Sequence, residues 1–122
     1  MSRNDDFSAI FERLKRIYEP AAASAVVAAD TREKYLLNTP FSTKYNKELF
    51  LGGVQIEKNY VSFYIMPVYI YPELLEGISP ELKKRMQGKS CFNFKKLDEG
   101  LFKELEELLK EGVNKFHQEG LI

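Results

Sequence analysis

The chain has 122 residues and balanced charge, with 18 Lys and Arg against 18 Asp and Glu. Hydrophobic residues make up 44% and charged residues 30%, which are the values of a globular domain and exclude a disordered polyelectrolyte. A chain of this length forms one hydrophobic core, so we expect residues 1–122 to be a single domain. The zero net charge gives no general attraction to nucleic acid or to a membrane surface.

Cysteine and histidine are scarce, with Cys91 and His117 as the only examples. A single thiol forms no internal disulfide, which fits a reducing compartment. The polar amino terminus lacks the apolar segment of a signal peptide, and the longest apolar run, 63–70, is too short to cross a bilayer. We therefore expect a cytoplasmic protein with no membrane partner. Ordinary zinc sites need more Cys and His, and Gly52-Gly53 is not a nucleotide-binding loop, so we expect no metal, no cofactor and no enzymatic activity.

The first half of the chain predicts one helix followed by strands. Apolar residues recur at three- and four-residue spacing over 6–19, which predicts an amphipathic helix that Pro20 ends. Alternating or β-branched segments then predict four strands, over 24–30, 34–39, 48–57 and 60–69. Pro67 confines the end of the fourth strand to a sheet edge or a bend, because proline donates no ladder hydrogen bond. Gly52-Gly53 predicts a bulge or a close backbone approach.

The second half predicts short helical segments, a fifth strand and a long helix. The short segments are 72–75 and 79–86, with Ser79 as the cap of the second. The strand is 90–95, and Asp98 caps the final helix. Together these elements indicate an α+β fold: a two-layer sandwich in which an antiparallel sheet of about five strands carries the amino- and carboxy-terminal helices on one face.

Alternation along the fifth strand separates a core face from an outer face, because successive side chains of a strand point in opposite directions. Phe92 and Phe94 share one face and are predicted to enter the core, although either ring could instead stack on a nucleic-acid base. The opposite face takes the side chains with odd numbers: Lys89, Cys91, Asn93 and Lys95. In the preceding strand, Tyr60 and Tyr64 lie on the face opposite the apolar positions. Three interpretations of that face are open: it lines a pocket or partner surface, it lies under a helix, or it faces solvent.

The order of three segments resembles the bacterial YdhG-like family. These are Asn38–Phe41, the strand segment Tyr60–Tyr64, and Gly88–Phe94 ahead of an amphipathic helix. The resemblance extends over residues 35–117 and implies a frataxin-like α+β fold. It also implies a function of iron chaperone, which has been proposed for a member of the family.

Charge is distributed unevenly near the carboxyl terminus. Six basic residues and no acidic one lie between Lys83 and Lys96, whereas residues 98–119 hold seven acidic residues and three basic ones. This asymmetry predicts an anion-binding surface, with these candidate residues: Tyr60, Tyr64, Lys89, Cys91, Asn93 and Lys95. The alternative is that the lysines only solvate the outer face and that the acidic helix neutralises them.

Three functions follow from these patterns. The first is a non-enzymatic binding domain for a small anionic ligand or a protein partner, with nucleic acid disfavoured by the net charge; edge strands beside Pro40 and Pro67 also allow a homodimer. The second is an iron-handling chaperone, as the resemblance implies, although residues 1–19 hold four acidic and four basic residues and so no net acidic ridge. The third is an enzyme or redox protein that uses Cys91, if nearby ammonium groups lower the pKa of an exposed thiol.

Overall fold

The computed structural model describes residues 3–42 and 45–122, with side chains from Asp6 onward. The four helices are α1 (Arg3–Tyr18), α2 (Met66–Ile70), α3 (Pro80–Lys83) and α4 (Glu99–Gln118). Short 3-10 helices span Glu19–Ser24 and Pro72–Gly77. The five strands are β1 (Val26–Asp30), β2 (Lys34–Asn38), β3 (Phe50–Ile56), β4 (Val61–Ile65) and β5 (Cys91–Phe94).

The strands form one antiparallel sheet in the order β1-β2-β3-β4-β5, so every strand pairs with its neighbour in sequence. Helix α1 packs on β3 and β4, and α4 packs on α1, α2 and α3. The helices therefore cover one face of the sheet and leave the other open. The predicted α+β sandwich with about five antiparallel strands is confirmed.

Cross-strand register explains which side chains enter the core. Tyr35, Val54, Phe63 and Phe92 occupy paired positions on consecutive strands, and all four are buried. The adjacent row of paired positions belongs to the outer face and holds Gln55, Ser62 and Asn93. Phe92 and Phe94 are 0% and 2% exposed, so the predicted alternation along β5 is confirmed and neither ring is available for stacking on a base.

The predicted strand over 60–69 is wrong in its second half. Strand β4 ends at Ile65, and the chain turns into α2 with Pro67 in its first turn, where the missing N–H is not needed. Pro67 is buried against α4, and a Cβ atom placed on Gly112 would lie 2.8 Å from the Cβ atom of Pro67. The glycine in α4 therefore makes room for the helix that the proline starts.

The predicted helix over 79–86 is shorter than expected, because α3 ends at Lys83. Ser79 caps it as predicted: its Oγ accepts from the Leu82 N–H at 3.2 Å. The following residues run beside β5. Asn93 donates its backbone N–H to the Arg85 carbonyl at 2.8 Å, and Gln87 donates to the Cys91 carbonyl at 2.9 Å. This segment thus covers the outer edge of β5.

Gly52 and Gly53 allow close backbone approach, as predicted. Both have positive φ, at 146° and 156°. A Cβ atom on Gly53 would lie 2.0 Å from the Tyr35 carbonyl oxygen of β2, which leaves space for glycine alone. The β2–β3 register also shifts between Leu37 and Asn38, so the bulge that the glycine pair predicted is present beside them.

Candidate functional site: a basic groove on the outer face of the sheet

A groove of about 410 Å³ lies on the open side of the molecule, where the residue before β4, the strand β5 and the segment after α3 meet. We call it the basic groove. Its lining consists of Tyr60, Lys84, Arg85, Met86, Gln87, Asn93 and Lys95. Its shape follows from the backbone hydrogen bonds that hold residues 85–87 beside β5. Three of the predicted site residues, Tyr60, Asn93 and Lys95, are brought together here.

Among the described residues, three cations and no acidic side chain line the basic groove. Lys84, Arg85 and Lys95 are exposed, and within the described part of the chain none of them forms an ion pair. Their charged groups are therefore available to an anion.

Several carboxylates of α4 are bonded elsewhere, although the sequence left open that this helix neutralises the lysines. Glu99 forms an ion pair with Arg13 of α1 at 2.8 Å. Glu104 accepts hydrogen bonds from the backbone N–H and the hydroxyl of Ser79, at 2.9 and 2.7 Å. Glu106 and Glu107 each lie 3.7 Å from Lys110 on the same helix. These four acidic groups do not compensate the cations of the basic groove.

A chain of hydrogen bonds orients the two amides that line the groove. The Ser62 hydroxyl donates to Asn93 Oδ1 at 2.7 Å, and the Cys91 thiol donates to the same oxygen at 3.3 Å. Asn93 Nδ2 in turn donates to Gln87 Oε1 at 2.6 Å. Both amide oxygens are thus occupied, so Gln87 presents its nitrogen end to further partners.

Tyr64 and Cys91 occupy paired positions on the outer face beside the groove, outside its lining. The Tyr64 hydroxyl donates to Glu57 Oε1 at 3.4 Å, and its ring meets Phe50 edge to face with centroids 6.1 Å apart. Burial raises the pKa of the Tyr64 phenol, and the neighbouring Cys91 raises it further. Tyr64 therefore supports the face as a neutral hydrogen-bond donor.

The half-buried Cys91 thiol does not meet the condition for a reactive cysteine. Burial raises its pKa above the ordinary value; the hydroxyls of Ser62 and Tyr64, which can donate to a thiolate at this position, lower the pKa in part, and the Glu57 carboxylate raises it. The lowering by nearby lysines is expected for an exposed thiol, and it does not apply to this half-buried one. At neutral pH the thiol is protonated and acts as a donor to Asn93.

Lys89 lies apart from the groove. Its ammonium nitrogen lies 5.9 Å from the centre of the exposed Tyr69 ring on α2. Four lining residues lie outside the site that the sequence predicted: Lys84, Arg85, Met86 and Gln87. The basic run between Lys83 and Lys96 contains the signal for the two cations. Met86 and Gln87 precede Gly88, whose positive φ of 81° forms the turn that brings them beside β5.

A second cavity, of about 360 Å³, lies between α1 and α4 and contains none of the predicted residues. Its walls are mostly aliphatic, from residues such as Ile17, Leu109 and Val113. Its charges are of both signs, and Lys110 is paired with Glu106 at its rim. The basic groove is the better candidate because its charges are of one sign and form no ion pair with any described residue.

Neither a metal cluster nor a membrane-spanning helix is found in the described chain. Across residues 3–42 and 45–122, no three His, Cys, Asp or Glu side chains are grouped closely enough to hold a metal ion. Over the same residues, no helix has the length and apolar character needed to cross a bilayer. Comparison with protein families, with curated proteins and with solved structures found no match to this chain. The YdhG-like resemblance and the iron-handling role stay predictions.

Proposed function

We propose that this chain is a non-enzymatic binding domain that holds a small phosphate-bearing anion in the basic groove. The observation that carries the proposal is the set of three exposed cations, Lys84, Arg85 and Lys95, around one concave surface; across the described part of the chain they form no ion pair and no acidic side chain lines that surface. Arginine binds phosphate through two parallel hydrogen bonds, and lysine adds a mobile point charge.

The surroundings of the cations favour binding over catalysis. Beside the groove, Cys91 is the side chain most suited to act as a nucleophile. Burial raises the pKa of its thiol, however, and the thiol already donates a hydrogen bond to Asn93. Asn93 and Gln87 are held in fixed orientation by their mutual hydrogen bond. A pre-oriented amide beside a cation cluster provides selective hydrogen bonds without a proton-transfer step.

Titration calorimetry with inorganic phosphate and with ribose 5-phosphate, at low ionic strength, tests the proposal. The variant Lys84→Gln/Arg85→Gln should weaken binding at least tenfold, since charge-assisted hydrogen bonds each contribute about 1.5–3 kcal/mol. The matched control is Lys83→Gln/Lys89→Gln, which removes the same charge from exposed residues outside the groove. Binding to the native chain should also weaken as salt is added.

The charge-matched control separates a site from general attraction. If both double variants weaken binding equally, the cations act only through overall charge and the proposed site is wrong. Absence of binding to the native chain at millimolar phosphate ester would equally contradict the proposed function. Retained binding in the control and loss in the groove variant is the outcome that supports it.

A further inference from the structure

The basic groove has space and chemistry beyond what a phosphate group uses. Ligand pockets of about 300–1,000 Å³ hold whole small molecules, and the volume here is about 410 Å³. An inorganic phosphate ion would fill only a small part of it. The remaining lining should therefore contact the organic part of the ligand.

Four lining residues carry no charge, and three of them, Tyr60, Met86 and Gln87, are the ones that define the organic part of the ligand. The Tyr60 side chain is half-exposed, and within the described residues it has no hydrogen-bond, aromatic or cationic partner. Met86 is half-buried and adds a polarisable thioether to the same lining. Gln87 accepts from Asn93 through its oxygen, so its amide N–H groups are left as donors.

We propose that the ligand of the basic groove is a nucleoside monophosphate, with its phosphate on the cations and its base against Tyr60. This inference rests on the proposed function, because it assumes that Lys84, Arg85 and Lys95 hold the phosphate. A flat heterocycle stacks on a tyrosine ring, and ring nitrogens and carbonyl oxygens of a base accept hydrogen bonds from an amide such as Gln87. The buried positions of Phe92 and Phe94 leave Tyr60 as the aromatic side chain in the groove.

The scale of the groove favours a mononucleotide over a nucleic-acid strand. One cavity of about 410 Å³ accommodates a single nucleotide, and the chain has equal numbers of basic and acidic residues. Strand-binding proteins instead use a basic track with several stacking aromatic residues. Of the described residues that line the basic groove, one is aromatic.

The test compares ligands that share the phosphate and differ in the base. Titration calorimetry of the full chain uses inorganic phosphate, ribose 5-phosphate and the four common ribonucleoside monophosphates at one ionic strength. At least one nucleotide should bind about tenfold more tightly than ribose 5-phosphate, as expected for one stacked base. Tyr60→Leu should reduce its affinity to that of ribose 5-phosphate, whereas Tyr60→Phe should retain it within about threefold.

The control variant and a second probe make the outcomes distinct. Tyr69→Leu removes an exposed tyrosine outside the groove and should leave every affinity unchanged. Equal binding of nucleotides and ribose 5-phosphate, or no effect of Tyr60→Leu, overturns the nucleotide assignment and leaves the phosphate site intact. Failure of every phosphate to bind overturns the proposed function itself. Binding of a single-stranded oligonucleotide more than about tenfold tighter than the best mononucleotide also overturns the assignment.

Discussion

The hydroxyl of Tyr18, at the carboxyl end of α1, donates a hydrogen bond to the backbone carbonyl oxygen of Tyr64 in β4. The bond crosses the space beside Gly52, where a Cβ atom would lie 2.1 Å from the Tyr18 hydroxyl oxygen and 2.1 Å from the Tyr64 carbonyl oxygen. The Tyr18 ring also packs on Phe63 with centroids 5.0 Å apart. One glycine thus lets a buried phenol join the first helix to the strand that carries Ser62 and Tyr64 on its outer face.

Gly52→Ala should destabilise the fold strongly. The new methyl group would meet both atoms of this hydrogen bond, and the positive φ of 146° disfavours any side chain. We expect the free energy of unfolding, measured by urea denaturation, to fall by about 3 kcal/mol or more. Gly77→Ala is the control, because no atom lies within 4 Å of its added Cβ, and it should change stability by no more than about 0.5 kcal/mol. Equal stability of the two variants would contradict the close packing at Gly52.

Tyr18→Phe should alter both stability and its dependence on pH. Burial raises the pKa of the Tyr18 phenol well above its ordinary value, although a backbone hydrogen bond at Gly53 lowers it in part. At pH 7 the variant should lose about 1 kcal/mol, the contribution of one buried hydrogen bond.

The sign of the pH effect follows from the raised pKa. The folded protein favours the neutral phenol, so the contribution of Tyr18 is complete below about pH 10 and is lost as the pH rises further. The difference in unfolding free energy between the native chain and Tyr18→Phe should therefore shrink above pH 10, by up to about 1.4 kcal/mol per pH unit. Denaturation series at pH 7 to 11 measure it; a difference that stays constant would show that this phenol is not buried.

Gly112→Ala should destabilise the chain, although alanine is the better helix former. An added Cβ would lie 2.8 and 3.1 Å from the Cβ and Cγ atoms of Pro67, whose ring is rigid. We expect a net loss of about 1–2 kcal/mol from this overpacking. Gly100→Ala, in the same helix, meets only the Asp98 carboxylate at 3.6 Å and should gain up to about 1 kcal/mol. Thermal unfolding of the two variants should shift in opposite directions, and a stabilising Gly112→Ala would contradict the contact between α2 and α4.

Cys91 should react slowly with iodoacetamide. Because burial raises its pKa, the reactive thiolate is scarcer in the folded chain than in a free cysteine derivative at the same pH. At pH 8 the folded chain should react at least several-fold more slowly than N-acetylcysteine, and the rate should rise steadily toward pH 10. The urea-unfolded chain should react like the small thiol. A folded-state rate above that of the small thiol would support the alternative of a Cys91-dependent enzyme.

Local periodicity predicts this fold well where one pattern dominates. The alternation of Phe92 and Phe94 with polar neighbours placed β5 and its two faces, and the stripe in α4 from Leu101 to Phe116 placed the last helix. Pro67 predicted that the fourth strand is irregular there, but not that a helix begins at this point. Pro67 starts α2, and it packs closely on Gly112, which is distant in sequence but adjacent in the fold.

Only part of the candidate site can be predicted from the sequence. Tyr60, Asn93 and Lys95 share an outer face through strand alternation, which a sequence displays. Gln87 and Met86 join them because α3 ends early and the chain turns at Gly88, so that residues 85–87 pair antiparallel with β5. Lys89 was expected nearby on parity alone, but it lies just before β5 begins at Cys91, and its ammonium lies over the Tyr69 ring.

The two edges of the sheet differ, because residues 85–87 pair with the outer edge of β5 and so cover it. Within residues 3–42 and 45–122, β1 pairs with β2 alone and its other side has no strand beside it. Strand addition to this sheet is consequently confined to β1. If two copies joined there, neither would keep an open edge, so growth would end at a closed pair instead of extending into a filament.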